Sequence, residues 1–320
     1  MDRADSWTTY ETLTIFQEPL CLIKNGPDGK LEACSDALHQ LNLIRCPLNV
    51  IAIMGPYRTG KSYLLNYLAG KRPGFHLGSS IQAVTKGIWV WCRPHPERYN
   101  EVLLLLDTEG LGDVMKGDEE NDSWIFALSV LLSNTLVYNC KNTISQNGIS
   151  QLYFVTELTK QMKTRAISEN EDRREFFGLF PNFVWVVRDF TLELEDEGKQ
   201  ITADDYLAKS LKAKEGTAPK NDNYNRPRQC ICEFFEDRKC FVFPMPLEDD
   251  TNQELERLDD SHLKPKFRCE VKKFCHYINT RYSPTTAKGQ PIIGKMFCHL
   301  LETYLAIVRS RKIPICVEGC

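Results

Sequence analysis

Residues 55–62 read Gly55-Pro56-Tyr57-Arg58-Thr59-Gly60-Lys61-Ser62, a GxxxxGK[ST] pattern. Successive backbone N–H groups of such a loop turn toward a polyphosphate. The lysine reaches the β/γ-phosphates and the serine hydroxyl ligates Mg²⁺. The pattern means this only between a strand and a helix. Here the apolar residues 48–54 precede it, and a helix-like stretch from Tyr63 to Ala69, closed by Gly70, follows. That order adds the positive end of a helix dipole to the cradle.

A second group lies downstream. The apolar run 102–106 ends in Asp107-Thr108-Glu109-Gly110, a DxxG spacing at the tip of a strand. The aspartate would organise the Mg²⁺ shell, and the Gly110 N–H would bond the γ-phosphate and sense its loss. Between the two motifs stands Thr85-Lys86-Gly87, ahead of Ile88-Trp89-Val90-Trp91. A threonine there completes Mg²⁺ coordination while the γ-phosphate holds the loop closed; the alternative is an ordinary strand-start threonine. Arg188-Asp189 follows the apolar run 183–187. A carboxylate at that tip accepts both N1–H and N2–H₂ of guanine, a pair of donors adenine lacks. An ATP-using enzyme remains as a third reading, because Arg-Asp dipeptides are common on surfaces.

The elements that must position these groups are α/β in pattern. Runs 48–54, 102–106 and 183–187 are short and almost wholly apolar, Asn49 being the one polar residue among them, as strands covered on both faces are. Residues 135–138 and 240–244 read as further strands. Residues 123–132 (with Ser123 as a cap), 151–164, 267–280 and 291–309 read as helices. Strand–helix alternation predicts right-handed crossovers and a mostly parallel sheet with helices on both faces.

Composition narrows the partners. The 320 residues are 42% hydrophobic and 26% charged, ordinary for a globular chain with a sizeable core. Lysine plus arginine (40) nearly balances aspartate plus glutamate (43), so no global field favours nucleic acid. No apolar run nears the ~20 residues that span a bilayer, and the first residues lack the basic start and apolar core of a signal peptide. The 13 cysteines then point to reduced thiols in a cytoplasmic protein. Cys230 and Cys232, and Cys275 beside His276, lack the spacing of a zinc site.

The motifs together resemble the large GTPase domain of the guanylate-binding proteins, relatives of the dynamin and atlastin group. The matching residues are 55–66, Leu77-Gly78-Ser79, Thr85-Lys86-Gly87-Ile88-Trp89, Asp107-Thr108-Glu109-Gly110-Leu111-Gly112, 121–128 and Arg188-Asp189-Phe190. The string 121–128 separates this family from atlastins. The resemblance spans roughly residues 7–315 and implies a P-loop NTPase with a large Ras-like G domain over residues 1–311, residues 312–320 forming a tail. It implies Mg²⁺-dependent GTP hydrolysis to GDP, with a further step to GMP left open, and G domains forming a homodimer when loaded, in the setting of interferon-linked innate immunity. Arg58 matches the family's internal arginine finger, which swings onto the phosphates when two G domains meet; the alternative is a solvent-facing residue that only adds phosphate affinity. Glu109 matches a glutamate in a water-mediated network. The resemblance also places Leu77, Gly78, Ser79, Thr108, Leu111 and Tyr63 in the nucleotide site.

Two departures matter. Family members carry a serine two residues before the Mg²⁺ threonine, where it assists the attacking water; here Ala83 has no hydroxyl. General acid–base help is worth ~10²–10⁴ in rate, so slow hydrolysis is expected, unless a backbone carbonyl carries the contact. The loop over the base has several arginines in the family, and here reads Pro244-Met245-Pro246-Leu247-Glu248-Asp249-Asp250, with Cys232-Glu233 upstream. Like charges across a two-fold interface oppose association. Compensating lysines or a weaker dimer are the two expectations. The runner-up function is therefore an assembly module that binds GTP and hydrolyses it slowly or not at all. In the family a helical domain follows near Pro314; this sequence ends at Cys320 without a CaaX box, so membrane contact is not expected to be encoded in it.

Overall fold

The computed structural model describes residues 16–70, 74–75, 87–108, 110, 119–169, 180–216, 219–247, 260–286 and 289–310. In chain order the strands are β1 (Leu20–Asn25), β2 (Leu31–Ala33), β3 (Leu48–Met54), β4 (Ile88–Pro94), β5 (Val102–Thr108), β6 (Thr135–Lys141), β7 (Asn182–Arg188), β8 (Glu195–Asp196), β9 (Lys199–Gln200) and β10 (Arg238–Val242). The helices are α1 (Ser35–Asn42), α2 (Lys61–Leu68), α3 (Glu119–Leu132), α4 (Gln146–Glu169), α5 (Ala203–Ser210), α6 (Pro219–Phe234), α7 (Pro265–Asn279) and α8 (Gly294–Arg309).

Among the described residues one sheet has eight strands, in the order β10-β7-β6-β3-β5-β4-β1-β2. From β10 to β5 each neighbouring pair is parallel, while β4, β1 and β2 close the edge antiparallel. Every residue of β3 and β5 is buried, which requires cover on both faces. One layer packs α2 against α7; another brings α3, α4 and α8 together. This is the α/β P-loop architecture that the apolar runs predicted.

The bounds differ where local signals mislead. Ser123 does not cap α3, which begins at Glu119 and carries Ser123 in its second turn. The last strand ends at Val242, because Pro244 has no N–H to extend the ladder. The edge strands β1 and β2 are short, and they form a hairpin through the Gly26-Pro27-Asp28-Gly29 turn.

Candidate functional site

The phosphate loop leaves β3 directly. Gly55 takes φ +140°, and a Cβ there would lie 2.0 Å from the Asn139 carbonyl oxygen of β6. Only glycine passes under that strand. Within the turn, Thr59 Oγ1 donates to the Pro56 carbonyl at 2.9 Å and Lys61 Nζ donates to the same oxygen at 3.2 Å. Asn139 Nδ2 donates to the Thr59 carbonyl at 2.8 Å from behind. Gly60 is left-handed (φ +82°) and starts α2 with no side-chain cap. The first N–H groups of a helix have no acceptor in the turn before them, and at α2 they face the loop with about half an elementary charge of dipole behind them. Lys61 is held, largely buried, over the loop's own carbonyl.

Ser62 and Asp107 meet where β3 and β5 run side by side. Ser62 Oγ donates to Asp107 Oδ2 at 2.6 Å, and the carboxylate is buried. Thr108 Oγ1 donates to the Ile53 carbonyl at 2.9 Å, fixing the β5 tip to the β3 tip. A hydroxyl backed by a carboxylate is a hard-oxygen donor set that suits Mg²⁺. Gly110 approaches from the other side, so closely that a Cβ there would stand 2.5 Å from Tyr57 Cα. Sequence motifs 45 residues apart in number thus converge on one loop, as the expectation for Gly55–Ser62 and Asp107–Gly110 required.

Arg58 is exposed and takes φ +58° at the crest of the loop. A non-glycine residue in that region carries about 1–3 kcal/mol of strain, a state that functional loops retain.

At the tip of β7, Arg188 and Asp189 separate. Arg188 turns into the core, its guanidinium carbon 5.4 Å from the Phe267 ring centre and 5.7 Å from those of Tyr63 and Phe243. Nη1 donates to the Gly60 carbonyl at 3.4 Å. Burial lowers its pKa, and the Asp189 carboxylate opposes that shift. Arg188 thus props the phosphate loop from inside, while Asp189 (φ +54°) follows at the strand tip with a partly buried side chain. Tyr63 is buried with its ring against Tyr67 and Phe267.

Leu77, Gly78, Ser79, Ala83, Thr85, Glu109, Leu111 and the acidic run 248–250 lie outside the described residues. The segment leading toward Leu77 is pinned by Asn66, which accepts from the Phe75 N–H at 2.7 Å and donates to its carbonyl at 3.0 Å. No sequence motif points to a supporting role for Asn66 or Asn139. Their one signal is a polar residue flanked by apolar or aromatic ones, Leu65-Asn66-Tyr67 in α2 and Tyr138-Asn139-Cys140 in β6.

This fold and this loop define the α/β P-loop NTPase class. Residues 28–287 match the family model described as "Guanylate-binding protein, N-terminal domain". The chain is similar to human guanylate-binding protein 1, 49% identical over 307 residues, covering 94% of this chain and 52% of that protein. Mouse guanylate-binding protein 2 is 47% identical over 308 residues, covering 95% and 52%. Human guanylate-binding protein 6 is 47% identical over 306 residues, covering 94% and 48%. The chain belongs to the guanylate-binding protein family. It spans about half the length of the curated relatives it matches.

Proposed function

We propose that this chain binds and hydrolyses GTP, as a cytoplasmic G domain extending over residues 1–311. The observation that carries the reading is the Ser62–Asp107 contact at 2.6 Å beside a helix start without a side-chain cap, with Lys61 held at the same loop. The N–H groups at the start of α2 bind and orient the phosphates. Lys61 exchanges the Pro56 carbonyl for phosphate oxygens. Asp107 holds the Ser62 hydroxyl in a fixed orientation, and with Thr85 these residues would hold Mg²⁺. Bound there, Mg²⁺ neutralises charge on the β- and γ-phosphate oxygens. Asp189 accepts the two donors of guanine's edge, and Glu109 holds water near the γ-phosphate.

Arg58 acts as the arginine finger. Its exposed position on a strained crest supports a residue that completes the site only when a second G domain covers it. Hydrolysis is consequently linked to homodimerisation, and it is slow because Ala83 supplies no hydroxyl to the attacking water. Single-turnover GTP hydrolysis at rising protein concentration tests this: acceleration with concentration is the expected result, and a flat, measurable rate would remove the dimer from the mechanism. Protection against thermal unfolding by guanine but not adenine nucleotides is expected alongside.

Ala83 and the acidic run after β10 favour one second reading, a module that assembles on GTP and scarcely turns it over. Negligible hydrolysis together with a dimer in light scattering under GTP would select it. A dimer under GDP plus aluminium fluoride with measurable turnover that accelerates with protein concentration would select the enzyme, and would show that the acidic run after β10 does not block association.

A further inference from the structure

A charge beside Asp189 has no role in the functions above. Lys141 is the last residue of β6, in register with Arg188 on β7, and its Nζ lies 3.3 Å from Asp189 Oδ2. The lysine side chain is 48% exposed and the aspartate 19%. Main chain, not this pair, locks the two strand tips: Asn142, left-handed at φ +64°, donates its N–H to the Arg188 carbonyl at 2.7 Å. A half-exposed ion pair adds little to stability. What the pair does is present an ammonium and a carboxylate side by side from two fixed points at the tips of β6 and β7.

Guanine's pairing edge has one acceptor, O6, followed by the donors N1–H and N2–H₂. A carboxylate satisfies the donors and leaves O6 without a partner. An ammonium adjacent to that carboxylate is a donor in the place O6 requires. Adenine carries its N6 amino group there, a donor facing a donor. We propose that Lys141 is a specificity-determining residue whose ammonium donates to guanine O6 while Asp189 accepts from N1–H and N2–H₂. This rests on the guanine-nucleotide reading above.

Dissociation constants for GTP, ITP, 6-thio-GTP and ATP, measured on the parent chain, Lys141→Met and Lys141→Arg, test it. 6-thio-GTP keeps both donors but offers sulfur, a poor acceptor, in place of O6; ITP lacks the 2-amino donor. The parent should prefer GTP over 6-thio-GTP by about tenfold, the scale of one charge-assisted hydrogen bond. Lys141→Met should bind GTP about tenfold more weakly, no longer separate it from 6-thio-GTP, and keep the parent's GTP-to-ITP ratio. Lys141→Arg should retain most of the preference. Unchanged or tighter GTP binding by Lys141→Met would overturn the inference, since the lysine would then only compete for Asp189. An equal loss for GTP and 6-thio-GTP would overturn it as well, by making the effect indirect. If Lys141→Met melts far below the parent, the parent's own GTP-to-6-thio-GTP ratio decides, a ratio near one overturning it. A parent that binds ATP as well as GTP removes the guanine reading itself, a failure distinct from the others.

Discussion

Asn139 grips both sides of the phosphate loop: its side-chain amide donates to the Thr59 carbonyl at 2.8 Å, and its own carbonyl oxygen lies where a Cβ on Gly55 would come within 2.0 Å. The loop is thus shaped by β6, a strand that belongs to neither of its motifs. Its fixed form comes from the sheet rather than from the GxxxxGK[ST] residues alone.

Asn139→Ala should leave the buried Thr59 carbonyl unpaired and cost about 1–3 kcal/mol in urea denaturation. GTP affinity should fall with it, because the loop loses its backing. Gly55→Ala should be worse: the φ of +140° adds strain to a direct clash with backbone. A Gly55→Ala protein that melts with the parent and binds nucleotide normally would refute this account of the loop.

Arg188→Lys should lower stability by about 2 kcal/mol despite keeping the charge. A compact ammonium cannot face three rings and still reach the Gly60 carbonyl. Chemical denaturation measures the loss, and hydrogen exchange at the start of α2 should quicken in the same variant.

Arg58→Ala should slow single-turnover hydrolysis by about 10³ and leave melting temperature within a degree or so of the parent, since the side chain is exposed. Ala83→Ser should raise the rate by up to ~10². A serine variant no faster than the parent would show that the missing hydroxyl is not what limits turnover.

Lys163 offers a pH test remote from the site. Burial pushes its pKa down to about 8, from the 10.5 of a solvated lysine, and its ammonium stands 3.2 Å above the Phe180 ring centre. Between those two values the unfolded chain holds a proton that the fold has released, so this group's contribution to stability rises with pH across the window. Below pH 8 the full cost of the buried charge is present. The parent should therefore gain on Lys163→Met in urea midpoint from pH 7 to pH 10.5, and a gap that does not change would contradict the lowered pKa.

The strands that carry the site were legible because they are buried on both faces. Residues 48–54, 102–106 and 183–187 are runs with a single polar interruption, Asn49, and the structure places β3, β5 and β7 over them. Edge strands lack that signal. Leu20–Asn25 and Leu31–Ala33 mix polar and apolar residues, and only their pairing with β4 and each other makes them strands. In α6, Pro227 and a polar composition hide a helix that tertiary contact with α4 sustains. Within the site, motif residues were readable and their supports were not. Asp107 announced itself by its place after leucines, whereas nothing local in Arg188 says that its guanidinium faces inward. That placement arises from rings on α2, α7 and the segment after β10, far apart in the chain.

The caged guanidinium of Arg188 also ties two distant turns of the chain together. Its bond to Gly60 runs from the tip of β7 to the start of α2, so the spacing of those two points is set by core packing. A substitution at any of the three rings around it would be felt at both points at once.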